Sequence, residues 1–451
     1  MGIDRRTFLR RTALTAGSLI TAPYILPSGR AFAKTGQQVA EHVVVVLVAG
    51  GVRQQETVLQ RYLADSQGLN IEGNIMSNLL TGNAPDDKVV FGTSTAGSVP
   101  IPQILSTPLD QQGILLPEMR FSGGATGHYV GLSACISGHY GATQGLQQRP
   151  LHPTMFEYLR RYAGAKATDT WFVGNGITGS VPLLNHSGHP EYGAQYGANM
   201  FIPSVTFGNQ GIEHAKGARV FHPDEELPAI EQMRQFLNQR FGESPDTDGP
   251  LDALGNTPEE KIQIKTFIRE TFDRLDRGLV PFPPVMDNGD LLNVGFALEV
   301  MRYFQPKLTV INMSAADTCH NNFTNYLQNV HRADHGVGFL WNYIQNELPT
   351  MADNTALLVL PEHGRNLVSN NILDVNDWVS FDHDSDANSR RVFGMLAGPN
   401  IDSGLTLGGL GNPIGDTADA VLTVADILGV KPEVEAAGLV AAAGRSWLDR
   451  M

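Results

Sequence analysis

Consecutive apolar residues, rather than alternating ones, carry the strand signals in this chain. His42 to Gly51 reads HVVVVLVAGG and closes on a glycine pair, Lys307 to Ser314 reads KLTVINMS, and Thr355 to Pro361 reads TALLVLP. Short apolar runs rich in β-branched residues predict strands buried on both faces, as in a parallel sheet covered by helices. TWFVG from Thr170 and VFGMLAGPNI from Val392 predict two more buried strands, and KVVFG from Lys88 a short one. The period changes after residue 320. Phe323, Tyr326, Leu327, Val330, Val337, Leu340, Trp341 and Ile344 recur at intervals of three and four, so one face of a long helix lies against the sheet. Further helices are expected near Asp224 to Phe241, from Thr257 onward, over Asn288 to Phe304 and over Asp416 to Gly429. Thr257 with Glu260 three residues later forms a capping box. The polar linker GESPDTDGPLDALGN and the loop-rich stretch before it mark residues 175 to 285 as an insertion, expected to cover a site or make an oligomer contact.

Two of the predicted strands deliver chemistry. One runs into Asp317, Thr318, Cys319 and His320, and the other into Glu362, His363, Gly364 and Arg365. Ligands bind at the carboxyl ends of strands in α/β sheets. Carboxylates and imidazoles fixed there by backbone suit a divalent metal ion. The expectation is that the two strands are neighbours, with Asp317 and His320 beside Glu362 and His363. Each half also has a plainer reading, because a strand-end Asp caps the next turn and an isolated His packs or faces water. The order of the pairs favours the metal. His331, Arg332, Asp334 and His335 read as the solvated side of the long helix, and His186 and His189 as exposed loop residues.

Strand, Asp, His, long helix with Asp334 inside it, strand, EHGR and then FDHDSDAN at 381 to 388 resembles the C-terminal half of the alkaline phosphatase superfamily. That superfamily includes sulfatases, phosphodiesterases and phosphomutases. The resemblance implies an α/β fold with a mainly parallel central sheet flanked by helices on both faces, and a two-metal centre. Asp317 and His320 match the first ligand pair at a spacing one residue shorter than common. Glu362 and His363 match the second with Glu for Asp, and His383 matches the late histidine. The Asp that ends strand one in the superfamily is absent, since the chain runs through Ala49, Gly50 and Gly51 to Val52. Glu56 could substitute for it or could favour a helix start by its charge. GHYVGLSACISGHYG and HPTMFEYLRRY resemble the helix and next helix start that follow the superfamily's nucleophile, with Pro153 at an early helical position. The nucleophile position itself falls on Gly124, and the nearest hydroxyl is Thr126, which could equally cap the following helix. His128 and His139 could line the cleft or close two Gly-His-Tyr turns. Arg365 would pair with the oxygens of an anionic ester.

Composition sets the surroundings. The 451 residues carry a net charge of -14, and because the first 33 hold five Arg and one Asp, the rest is more acidic still. Such a body repels nucleic acid and anionic lipid. Arg5 and Arg6 followed by Thr7, Phe8 and Leu9, an interrupted apolar stretch, and Ala31-Phe32-Ala33 form a twin-arginine export signal. Its apolar run falls short of the ~20 residues a bilayer span needs. A mature domain from residue 34 to 451 without a membrane span, delivered by the twin-arginine export machinery to the periplasm or exterior, is the expectation. Cys135 and Cys319 permit one disulfide, but read better as small buried apolar residues. The chemistry expected is metal-dependent hydrolysis of a small phosphate or sulfate ester. Asp317, His320, Glu362, His363 and His383 would hold zinc, manganese, calcium or iron, and Thr126 or a metal-activated water would attack. The competing expectation is an exported, non-catalytic protein that keeps the fold for binding or assembly.

Overall fold

The computed structural model describes residues 24–25, 31–32, 36–64, 69–85, 101–141, 149–174, 184–206, 254–384, 386–441 and 443–451. The twin-arginine motif, the strand expected at 88–92 and the helix expected near 224–241 fall outside them. An eight-stranded sheet is formed by β1 (His42–Val48), β2 (Gly113–Arg120), β3 (Thr170–Gly174), β4 (Asn199–Phe201), β5 (Leu308–Met313), β6 (Thr355–Pro361), β7 (Arg391–Ala397) and β8 (Leu405–Thr406). Its order is β8-β2-β7-β6-β1-β5-β3-β4. β7 runs antiparallel to both neighbours, and the remaining pairs are parallel. The fold is therefore the mixed, mainly parallel α/β sheet that the apolar runs predict.

β1 shows why those runs do not alternate. Val44, Val46 and Val48 enter one apolar core, whereas Val43, Val45 and Leu47 enter a second core on the opposite face. The first core is closed by α3 (Pro258–Asp276), α4 (Gly289–Phe304) and α5 (Phe323–Glu347). The second is closed by α1 (His128–Ser137), α2 (Met155–Ala163) and α6 (Asp419–Ile427), with Trp447 beneath them. Helix α3, placed in the insertion by its flanking linker, is a core element, because Phe267 packs on Trp171 and Phe201 of β3 and β4. Its capping box between Thr257 and Glu260 forms as expected. Cys135 and Cys319 are buried free thiols on opposite sides of the sheet. No helix among the described residues is long and apolar enough to cross a membrane.

Four local expectations are corrected. β5 and β6 are not neighbours, because β1 lies between them; all three are buried on both faces, so composition does not order them. Helix α2 begins after Pro153, with Thr154 as its cap and Glu157 completing a capping box, since Thr154 offers the hydroxyl that Pro153 lacks. His186 is buried, and its Nδ1 donates to the Ser187 carbonyl. The supposed solvated side of α5 is also buried. His331 Nδ1 donates to the Ile75 carbonyl, and Arg332 forks onto Asp287 at 2.8 and 2.9 Å. Asp334 accepts from the amides of Asn78 and Leu79 and from the Asn78 side chain. A second layer of chain covers that face, and polar residues there bond to its backbone.

Burial raises the Asp334 carboxyl from its ordinary 3.8 to about 7, with the Asn78 and Leu79 hydrogen bonds opposing the rise. A folded value above the unfolded one means the folded state holds the proton more tightly. The group's contribution is thus full below about pH 4 and is lost as pH climbs through about 7. Asp334→Asn removes that titration, so the urea midpoint of the wild type relative to the variant should fall between those pH values. A difference that does not vary with pH would contradict this assignment.

Candidate metal centre

Five chain segments meet at the carboxyl edge of the sheet. β1 ends in Gly50 and Gly51, β5 ends in a 3-10 turn over Ala315–His320, and β6 ends in Glu362–Arg365. The fourth is the start of α1, whose first residue is His128. The fifth is the loop entering β7. Because β7 is antiparallel, its amino end lies where its neighbours' carboxyl ends do, and this brings Asp382 and His383 to the same edge. The turn after β5 is fixed from below by buried Asp290, which accepts from the amides of Ser314 and Ala315 at 2.7 and 2.9 Å.

The glycine pair decides how tightly these segments approach. A Cβ on Gly50 would overlap the backbone of Asp317, and one on Gly51 would overlap the His363 ring. Both residues also have positive φ, 97° and 75°. Side-chain-free, the turn passes between the two ligand segments, and the Gly50 amide donates to Glu362 Oε1 at 2.6 Å. Strand one therefore offers a backbone amide at this edge, not the carboxylate that the resemblance implies. Glu56 does not take that carboxylate's place, nor does it open a helix. It is buried in a pair with Arg53 and accepts from the Tyr326 hydroxyl at 3.0 Å.

Asp317, His320, Glu362, His363 and His383 are brought together, and His128 joins them. Two sets of donors have ligand atoms lying within 4.8 Å of one another: His128, Asp317, His320 and His383, and His128, Glu362 and His363. Three imidazoles are anchored through Nδ1. His320 donates to Asp382 Oδ1 at 2.5 Å, His363 donates to the Gly364 carbonyl at 2.8 Å, and His383 donates to the Thr126 carbonyl. Outer partners of this kind orient metal-binding histidines. The Nε2 atoms of His320 and His363 face Asp317 Oδ1 and Glu362 Oε1 at 3.2 and 3.3 Å. Ring centroids of His383 lie 4.7, 4.9 and 4.4 Å from those of His128, His320 and His363.

Charge in the cluster is sharply divided. Burial alone would keep Glu362 protonated, but the adjacent His128 and His363 hold its carboxyl down at about 2. Asp317 is likewise held far below the carboxylate range despite burial, through His128, His320 and Arg365. His128 faces Glu362 Oε1 at 2.7 Å through Nδ1 and Asp317 Oδ1 at 3.2 Å through Nε2. Burial disfavours its charge, yet the two carboxylates raise it to about 10. His383 goes the other way: burial and the neighbouring positive groups lower it to about 3, so its ring is neutral.

Such a set fits a divalent cation. It combines imidazole nitrogens, that of His383 neutral, with ionised carboxylates, the donor chemistry of zinc and related ions, and a bound cation would replace the proton that His128 holds between Glu362 and Asp317. Glu362 Oε2 is moreover buried with no hydrogen-bond partner, an orphaned acceptor that a cation would satisfy. Arg365 occupies a different position from the one its motif suggests. Its side chain is fully buried, with Nε on the Gly51 carbonyl, Nη1 on the Phe381 carbonyl and Nη2 on Asp317 Oδ1 at 2.7 Å. It positions the Asp317 carboxylate and is walled off from solvent. Thr126 is buried beside the cluster but does not cap α1; Gly127 stands at the cap. Its Oγ1 lies 3.5 Å from Ser389 Oγ. Sequence reasoning left His128 between cleft and turn and passed over Asp382. A His opening a helix and an Asp preceding a ligand His were the available signals.

No protein-family profile matches this sequence, and no curated protein matches it. Solved structures similar to the chain include alkaline phosphatase from the Antarctic bacterium TAB5, with a TM-score of 0.42 and 11% identity over 87% of this chain and 98% of that one. A protein in the alkaline phosphatase superfamily from Vibrio parahaemolyticus has a TM-score of 0.39 and 12% identity over 95% and 76%. The lipoteichoic acid synthase LtaP from Listeria monocytogenes has 0.39 and 12% over 94% and 78%.

Asp382→Asn should weaken metal binding about 10- to 100-fold, since His320 loses its anionic anchor; competition against a chelator measures it, with the thermal midpoint little changed. Gly50→Ala should instead lower stability by ~1–3 kcal/mol through positive-φ strain and overlap with Asp317, seen in the urea midpoint.

Proposed function

We propose that this chain is a metal-dependent hydrolase of phosphate or sulfate esters, exported through the twin-arginine route. One observation carries the reading: imidazole nitrogens and ionised carboxylates converge at the carboxyl edge of the sheet, with three of the imidazoles anchored through Nδ1. His128, Asp317, His320 and His383 would hold a zinc, manganese, calcium or iron ion, with Glu362 and His363 on its buried side. Such an ion supplies Lewis-acid polarisation of the ester's anionic oxygens and lowers the pKa of a hydroxyl nucleophile.

The chain's own residues prepare that site. Arg365 neutralises Asp317 and fixes its carboxylate, and the Gly50 amide fixes Glu362 by a hydrogen bond. Neither is displayed to an incoming anion, so the metal is the principal attraction for the substrate in an otherwise acidic protein. Thr126 sits where the backbone that anchors His383 turns into α1, and its hydroxyl is the nucleophile in this reading. Burial of Glu362, His363 and Arg365 keeps water from the inner side of the cluster.

Protein exported and purified without chelator should contain a stoichiometric divalent metal by elemental analysis and should hydrolyse p-nitrophenyl phosphate or sulfate. His363→Ala should lose the metal and at least ~100-fold of the activity, the scale on which ligand shells control metal centres, while circular dichroism stays native. Full metal content without turnover would favour the non-catalytic exported protein; absence of metal from the wild type would remove the centre from the function.

A further inference from the structure

The loop that leaves the centre after Arg365 and returns at Asp382 carries five exposed large apolar side chains within nine residues: Leu367, Val368, Ile372, Leu373 and Val375. Val368 and Val375 are 69% and 89% exposed. Surface apolar residues are ordinarily scattered singly, so five on one short loop require an explanation.

The loop is held firmly. The Asn366 amide donates to the Asp382 carbonyl at 2.7 Å, and those of Leu367 and Val368 donate to Asp386 Oδ2 at 2.6 and 3.0 Å. Asn370 and Ser380 bond backbone to backbone, as do Ser380 and Ile372. Asp374 accepts from the Thr324 amide at the start of α5. The apolar side chains thus stand on a fixed platform.

That platform adjoins the open flank of the metal centre. Glu362, His363 and Arg365 have side chains 0% exposed, whereas those of Asp317, His320 and Asp382 are 30%, 37% and 37% exposed. Asn370 Nδ2 donates to Asp382 Oδ1 and to the His320 carbonyl, at 3.1 and 2.8 Å. The carboxylate that anchors His320 therefore also anchors the apolar loop, on the exposed side of the cluster.

We propose that the loop at 367–375 binds the organic part of the substrate, so that this hydrolase takes amphiphilic esters: an anionic phosphate or sulfate head on the metal and an alkyl chain along the loop. This rests on the ester-hydrolase reading above. Continuity with the open flank selects a substrate chain as the occupant, and the acidic net charge of -14 disfavours an anionic membrane surface.

The test uses ethylphosphonate and octylphosphonate, inert to ester hydrolysis and monomeric, titrated calorimetrically into the full exported protein supplied with zinc or manganese. Octylphosphonate should bind at least ~10-fold more tightly, because covering two methylenes already gives about that factor. In Val368→Ser/Val375→Ser, both positions being solvent-facing, the octyl advantage should fall below about threefold while ethylphosphonate affinity stays at the wild-type value. His320→Ala should lose ethylphosphonate binding. Equal affinity for both probes in the wild type, with that His320 dependence intact, overturns the amphiphile proposal and leaves the ester site standing. An octyl advantage that survives in the double variant also overturns it. Binding of neither probe overturns both readings. A dimer in sedimentation that disappears in the double variant, with no chain-length effect, assigns the loop to a second copy of the chain and overturns the proposal.

Discussion

The close passage of the Gly50–Gly51 turn between Asp317 and His363 is the constraint on which the centre depends. β1 lies between β5 and β6, so the segments that leave those strands can meet only above the end of β1. A side chain on either glycine would hold them apart. With none, the segments close over the turn, and the Gly50 amide becomes a hydrogen-bond donor to Glu362. The same compactness draws His128 and His383 into one cluster with the carboxylates and imidazoles that follow β5 and β6.

Burying carboxylates so close together is costly unless each is paired and hydrogen-bonded. Glu362 has the Gly50 amide and His128, and Asp317 has Arg365, His128 and His320. A second buried pair supports the turn: Arg53 binds Glu56 and stacks on the Phe381 ring, 3.6 Å from its centroid. The Phe381 carbonyl in turn accepts from Arg365. Two buried arginines therefore converge on the segment that presents Asp382 and His383. Removing one would leave a buried charge uncompensated.

The antiparallel strand β7 gives the centre its last donor and its rim. A strand running against its neighbours starts at their carboxyl edge, so the chain between β6 and β7 both leaves and returns there. That excursion supplies the Asp382–His320 contact, the His383 ring and the exposed apolar side chains at 367–375. Donors of the candidate centre and exposed apolar side chains thus share one loop, tied together through Asp382 and Asn370.

Much of this was legible in the chain itself. Runs such as VVVVLV and ALLVL determine strands buried on both faces, because a strand with helices on both sides has no polar side, and the three- and four-residue spacing after Phe323 determines a long helix. The order Asp317, His320, Glu362, His363, His383 placed donors at strand ends, where they are found together. Only the tertiary structure decided that β1 separates β5 and β6, that β7 is reversed, that His128 enters the cluster and that Arg365 is enclosed. Strand order and direction depend on long-range pairing, and equally apolar strands carry no local mark of their neighbours. His128 and Arg365 differ from surface residues of the same type only in what the fold brings against them. The sequence by itself therefore determined which residues could act; the packing around two glycines decided which of them meet.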